Sequence, residues 1–447
     1  MNKITKPKLR FLDIINMNVG FFGIQYSFGL QQSAVNPIYD FLGASPDEIP
    51  LLNLAGPMTG LLVQPIIGAL SDKTWSPRFG RRKPFFFIGA VLCSIALFLY
   101  PFSSALWMAA GLLWILDVGN NTAMEPYRAF IADKLDSSQQ ALGFQAQSFF
   151  TGLGQTLVNL SIFIFPMIFL GTTGSLPTWV YASFFLGAVC SIGSVLWSMK
   201  TTSEIPPTPE ELKEMKEHPL SVFSPFKDII GAIKDMPKVM WQLALVYLFQ
   251  WYALFCYWQN SAKSIANSVY DTFTYQDNPV YSEAVSWSGL VNGWYNIVMF
   301  LVAFSLVYFA KKFTPKKVHA FCLVLAGIGF LAFPMIENKW YLFPAITGFG
   351  IGWASMMGIP YLIVVGDIPK ERYGVYMGII NMMIVIPMLI QTLSFGYILK
   401  NLLGNDPRNA ITFAGVLLLI AAMATMLIKN DKPADKSDLN YNPSGGH

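Results

Sequence analysis

Charge is what this chain most lacks. Asp, Glu, Lys and Arg supply 13% of its 447 residues, against 54% hydrophobic and 15% aromatic, and so little polar surface cannot cover a soluble globule of this size. Histidine is scarcer still: His218, His319 and His447 are the only three, none at the apolar centre of a span and none at metal-ligand spacing. No nucleophile stands beside a base, so no enzyme, catalytic residue, metal site or cofactor is expected. The four cysteines, Cys93, Cys190, Cys256 and Cys322, all lie in apolar runs, where a thiol behaves as a small hydrophobe and no disulfide is expected.

What fills the chain instead is a series of apolar blocks of roughly 20 to 28 residues, each long enough to cross about 30 Å of hydrocarbon. They predict an all-α membrane protein of twelve transmembrane helices near 11–38, 49–71, 84–103, 105–133, 142–170, 178–199, 239–267, 284–311, 317–336, 341–365, 372–400 and 409–428. Basic residues near helix ends are retained on the cytoplasmic side. With both termini cytoplasmic, 25 of the 30 Lys and Arg fall inside; Lys263, Lys339, Lys400 and Arg408 fall outside, and Arg128 lies within a helix. The net charge of +4 is then a topological signal, not a nucleic-acid footprint. The first apolar run is a full span with no small-x-small cleavage site after it, so it is read as a retained helix. The expected setting is a bacterial inner (plasma) membrane, with the chain a multi-pass monomer in lipid.

The longest polar interval, 200–238, divides the helices six and six. That division predicts an N-terminal bundle over 1–199, a cytoplasmic linker over 200–238, a C-terminal bundle over 239–428 and a disordered cytoplasmic tail over 429–447. Within the linker, Pro206 to His218 reads as loose. Phe223, Phe226, Ile230 and Ile233 recur at helical spacing and predict an amphipathic helix on the inner surface over 220–235.

The most specific stretch joins the second and third spans: Gly68-Ala-Leu-Ser-Asp72, then Arg78-Phe-Gly80-Arg81-Arg82-Lys83-Pro84-Phe85. Gly68 would permit close helix approach, Asp72 would sit at the positive N-terminus of a neighbouring helix, and Arg81 and Arg82 would pair with carboxylates across the bundle interface as a cytoplasmic gate. This loop resembles the signature of the major facilitator superfamily. Its ending resembles that of the plant sucrose transporters and the glycoside-pentoside-hexuronide:cation symporter group, with their animal and bacterial relatives. Two more segments are similar: Gly56-Pro-Met-Thr-Gly-Leu-Leu-Val-Gln64-Pro65-Ile-Ile-Gly68, and Trp114-Ile-Leu-Asp117-Val-Gly-Asn120-Asn121 through Pro126-Tyr-Arg128 to Asp133. The likeness is strongest over 20–160; in the second half Phe249-Gln-Trp251 and Asn381 to Pro387 still fit. It implies two six-helix bundles around a central site and import of a disaccharide such as sucrose or maltose with a coupling ion.

Asp117, Glu125 and Arg128 are ionisable residues in one otherwise apolar span, where a lone charge would cost at least about 2.5 kcal/mol. At 100° per residue, Asn121 lies roughly 40° round from Asp117, Glu125 roughly 80° and Arg128 about 20°, so all four share one face, expected to line the cavity. By resemblance, Asp117 matches the proton carrier of the plant transporters and Arg128 the arginine required for sugar transport. Asp117 would take a proton, release Arg128, and let sugar hydroxyls replace the carboxylate. Glu125 departs from the plant pattern, which has glycine there; it could accept the proton, hold Arg128, or bind sugar hydroxyls. A Na⁺ site built from the two carboxylates would serve as the coupling ion instead of H⁺.

A disaccharide also needs amides and an aromatic platform. Gln25, Gln64, Asn121 and Gln147, with Trp251 from the second half, are the expected binding set, and Gln31, Gln155, Gln250, Trp258 and Asn292 are further in-span polar or aromatic residues. An exporter on the same scaffold and a sugar sensor without turnover are the competing readings. An efflux pump for lipophilic cations more often has a carboxylate in an aromatic cage without a partner arginine, so Arg128 favours a polyol.

Overall fold

The computed structural model describes residues 6, 8–72, 74–217, 231, 233–276, 278–364 and 373–429. Twelve long helices carry the chain: α1 Phe11–Phe41, α2 Ala55–Asp72, α3 Lys83–Leu99, α4 Leu106–Lys134, α5 Ser137–Ile168, α6 Thr178–Thr201, α7 Lys238–Val269, α8 Pro279–Lys312, α9 Pro315–Ala332, α10 Leu342–Val364, α11 Tyr373–Asn401 and α12 Pro407–Met426. Among the described residues, nine helices are long and apolar enough to cross a membrane. The other three, α1, α4 and α8, are at least 29 residues long but carry Gln25, Gln31 and Asp40; Asp117, Glu125 and Arg128; and Glu283, Asn292 and Asn296.

Helix starts follow local chemistry. Pro occupies the first turn of α3, α8, α9 and α12, where its missing N–H costs nothing. The side chains of Asn278, Thr314 and Asp406 accept from backbone N–H groups of the turns they precede, at 2.9, 3.4 and 2.9 Å. The segment expected to be loose after α6 contains a nine-residue helix, Pro209–Glu217; Pro209 opens it, and Glu210 ahead of Lys213 suits a first turn and an i,i+3 pair. The amphipathic helix expected over 220–235 and the tail from 430 fall almost wholly outside the described residues.

In the first half α1 packs against α4, α5 and α6, α3 against α4 and α6, and α2 against α4. In the second, α7 packs against α8, α11 and α12, α9 against α10 and α12, and α8 against α10. Small residues set the spacing: a Cβ on Gly89 of α3 would stand 2.6 Å from the Gly119 carbonyl of α4, too close to tolerate, so the two backbones touch. The halves meet through α5 on α8, and through α2 and the short helix Ile49–Leu52 on α11.

Most polar contacts joining the halves cluster at the end remote from both termini, called the outer end below, and the opposite end the inner, after the expectation that both termini are cytoplasmic. There Lys263 pairs with Asp40 at 2.7 Å and Lys400 with Asp47 at 3.1 Å. Asn36 donates to the Trp258 carbonyl at 3.4 Å. These contacts tie the two halves together at that end.

Candidate functional site

The polar residues of α4 share a face but not an environment. Asp117 and Asn121 are 1% and 3% exposed, whereas the side chains of Glu125 and Arg128, one to three turns nearer the inner end, are 29% and 41% exposed. Gln31 of α1 lies near Asp117 and accepts from Asn120 at 3.3 Å. One Asp117 oxygen, Oδ2, looks toward Gly56 of α2, where a Cβ would lie 3.6 Å away, and takes no hydrogen bond from a described residue. No cation stands beside it among the described ion pairs. A buried carboxylate in that position is costly when charged and tolerable when neutral.

Arg128 does not reach Asp117. Eleven residues of helix separate them by about 16 Å along the axis, and Arg128 pairs with Glu125 at 2.9 Å. The helical wheel placed them on one side; the axial rise keeps them apart. Of the three roles open to Glu125, the structure displays that of the arginine's partner.

Asn121 is the hub of an amide chain. It accepts from Gln64 of α2 at 2.6 Å and donates to Thr59 at 3.0 Å and to the Asp117 carbonyl at 2.9 Å. Gln64 accepts from Asn381 of α11 at 3.1 Å, so the chain crosses between the halves at mid-depth. The other expected binding residues are not in it. Gln25 is buried and accepts from Gln155 at 3.3 Å; Gln147 is buried with its amide nitrogen unpartnered among the described residues. Trp251 is buried edge-on against Trp353 and Tyr247. The half-buried rings beside it are Trp258 and Trp353, whose planes meet at 90° with centroids 5.6 Å apart, and these present the more accessible aromatic surface.

The inner loop is built as a pinned turn. Arg82, 5% exposed, binds Asp72 at 2.5 Å, Asp133 of α4 at 2.8 Å and the Ser71 hydroxyl at 2.5 Å. Arg81 donates to the Asp72 carbonyl and stands 3.9 Å from its carboxylate. Glu204, just past α6, accepts from the backbone N–H groups of Arg81, Arg82 and Lys83 at 2.7 to 3.1 Å. Three expectations are thereby corrected. The carboxylates that hold Arg81 and Arg82 lie in their own half, because Asp72, Asp133 and Glu204 all end helices at that face. Glu204, not Asp72, occupies the positive start of α3, since Asp72 is drawn to the two guanidinium groups. Gly68 makes no close approach, a Cβ there meeting nothing within 4 Å. Gly80 is the glycine the turn needs: its φ is +83°, and a Cβ would lie 2.5 Å from a Glu204 oxygen. Gly80→Ala should lower the thermal unfolding temperature, costing about 1–3 kcal/mol, in a purified-protein melt. Sequence reasoning missed Asp133 and Glu204, although Glu204 is the first acid after α6 and follows a run of apolar and hydroxyl residues.

The description Major Facilitator Superfamily belongs to the family model that matches this sequence, over residues 17–392 and, in a second match, 278–443. The chain belongs to the Major Facilitator Superfamily. It is therefore a membrane transporter of the twelve-helix facilitator fold, with two six-helix halves, and not an enzyme. It is 24% identical over 480 residues to sucrose transport protein SUT5 of Oryza sativa subsp. indica, covering 91% of this chain and 87% of that one. To sucrose transport protein SUT2 of the same rice it is 25% identical over 472 residues, covering 91% and 90%. Among solved structures, a mutant of nucleoside transporter NupG superposes with a TM-score of 0.73 at 12% identity, covering 94% of this chain and all of that one. A D-xylose-proton symporter gives 0.65 at 15%, covering 95% and 99%.

Proposed function

We propose that this facilitator imports a disaccharide, sucrose or maltose or a related glucoside, together with a proton. The observation that carries the reading is Asp117: a buried carboxyl group on α4, with no counter-ion beside it among the described residues, next to an amide chain that bridges the halves. Such a group is stable buried only with its proton on, and once hydrated can release it. The sucrose transport proteins that resemble the chain over nine-tenths of its length favour the sugar. The fold shared with a D-xylose-proton symporter supports the choice of the proton as coupling ion.

In this cycle Asp117 carries the proton, and its loading and release accompany the exposure of α4 to either side. Gln64, Asn121 and Asn381 exchange their mutual hydrogen bonds for sugar hydroxyls. Arg128, partly exposed and held by Glu125, forks onto the sugar, and Trp258 and Trp353, with Trp251 behind them, offer the aromatic surface. Arg81 and Arg82 hold the inner end of the first half as a unit. We place the protein in the inner (plasma) membrane of a bacterium as a monomer, both termini cytoplasmic. A sodium-coupled glycoside symporter is the second reading, in which Asp117, whose buried Oδ2 takes no hydrogen bond from a described residue, would hold the ion.

Uptake of a panel of labelled disaccharides into proteoliposomes, under an imposed pH or sodium gradient, tests both readings. Accumulation driven by inward acid alone supports the proton; accumulation driven by sodium alone supports the second reading; no uptake of any disaccharide removes the sugar. Arg128→Lys should weaken substrate binding about tenfold, because a point charge cannot make the forked contact. Equilibrium binding of the labelled sugar checks it, and unchanged affinity would move the sugar away from Arg128.

A further inference from the structure

The buried charge pair at the outer end is the least expected feature of the interface between the halves. Asp40 belongs to α1, and its side chain is 1% exposed; Lys263 belongs to α7, and its side chain is fully buried. They meet at 2.7 Å. The Tyr281 hydroxyl of α8 donates to the other Asp40 oxygen. The Tyr275 ring lies 5.6 Å from the Lys263 ammonium, and Phe41 packs edge-on against Tyr281 at 5.4 Å. One half thus supplies the anion, the other supplies the cation and the hydroxyl donor, and rings from both halves wall the pair. From sequence Lys263 was simply one of four basic residues on the wrong side.

We infer that Asp40 and Lys263, clasped by Tyr281, form the outer lock of the transport cycle: the outer end can close only when both charges are buried together. Each charge alone would be stranded in a dry, aromatic enclosure, where an unpaired ion is strongly unfavourable. When the end opens, water reaches both, and separating them costs little because each is hydrated. The pair therefore penalises half-closed states and leaves the open state untouched. The exposed pair Lys400–Asp47, at 64% and 15% exposure, sits in water and contributes far less. The inference holds whatever solute is carried, so its failure and that of the sugar reading are separate results.

The test is accessibility from outside. Asn36, 5% exposed and one turn deeper than Asp40 on α1, is replaced by cysteine, and labelling by a membrane-impermeant maleimide is followed in intact cells, with the parent chain subtracted for its native thiols. In that background Asp40→Asn and Lys263→Met each strand one charge. Each should raise the labelling rate about tenfold as the population moves to the outward-open state. The double variant Asp40→Asn/Lys263→Met strands none and should return within about twofold of the parent. Tyr281→Phe, which keeps both charges and is the least disruptive to folding, should give a smaller rise of about threefold. Single variants that label no faster than the parent, a double variant that labels as fast as the singles, or a Tyr281→Phe variant without any rise would each overturn the lock.

Discussion

Asp117→Asn abolishes uphill accumulation while leaving substrate exchange across the membrane intact. The amide has nearly the same shape and keeps a group for Gln31, so the packing of α1, α2 and α4 around it survives. What it loses is a removable proton. One elementary charge moving inward through 100 mV supplies about 2.3 kcal/mol, which corresponds to roughly fiftyfold accumulation. Without a carrier that ratio should fall to one, whereas counterflow of labelled against unlabelled sugar, which needs no net proton movement, should continue. Accumulation at the wild-type ratio in the Asn variant would remove Asp117 as the carrier and leave Glu125 as the next carboxylate on the same helix.

Arg82→Ala should give the largest loss of stability of any inner-loop change. The side chain is nearly sealed and binds two carboxylates and a hydroxyl, from the end of α2 and the end of α4. Removing it leaves Asp133 without its paired cation and Asp72 with only the more distant Arg81, 3.9 Å away. Both acids are 42% exposed and can take up water, so the penalty sits near the low end for a broken buried pair, about 3 kcal/mol. Thermal unfolding of the purified protein should show a drop of several degrees, and Arg82→Lys should fall between, since an ammonium retains the charge and loses the fork. An Arg82→Ala protein that melts with the wild type would mean that Glu204, which grips only the backbone of this turn, holds the loop by itself.

The fold was legible because lipid imposes a length. A span needs about 20 apolar residues and no free backbone groups, so helix number follows from one dimension of sequence. The aligned face of α4 was equally readable, since 100° per residue is fixed. Depth was not: the same wheel that put Asp117 beside Arg128 conceals the axial distance between them, and whether a residue is sealed or wetted depends on which end of the molecule is open. The inner loop shows a second limit. Gly80, Arg81 and Arg82 announce a tight basic turn, but their partners Asp133 and Glu204 lie more than 50 and 120 residues away, and local pattern carries no information at that range. Asp40 and Lys263 were invisible for the same reason, 223 positions apart and each an isolated charge near the end of its own span.

Sugar and protons should cross the membrane together. Proteoliposomes in a lightly buffered medium, given a disaccharide pulse with the membrane potential clamped by potassium and valinomycin, should show external alkalinisation that begins with sugar entry and matches it mole for mole. The same pulse to Asp117→Asn vesicles should leave the external pH unchanged. Sugar entering the wild-type vesicles with no change of external pH would contradict proton coupling outright.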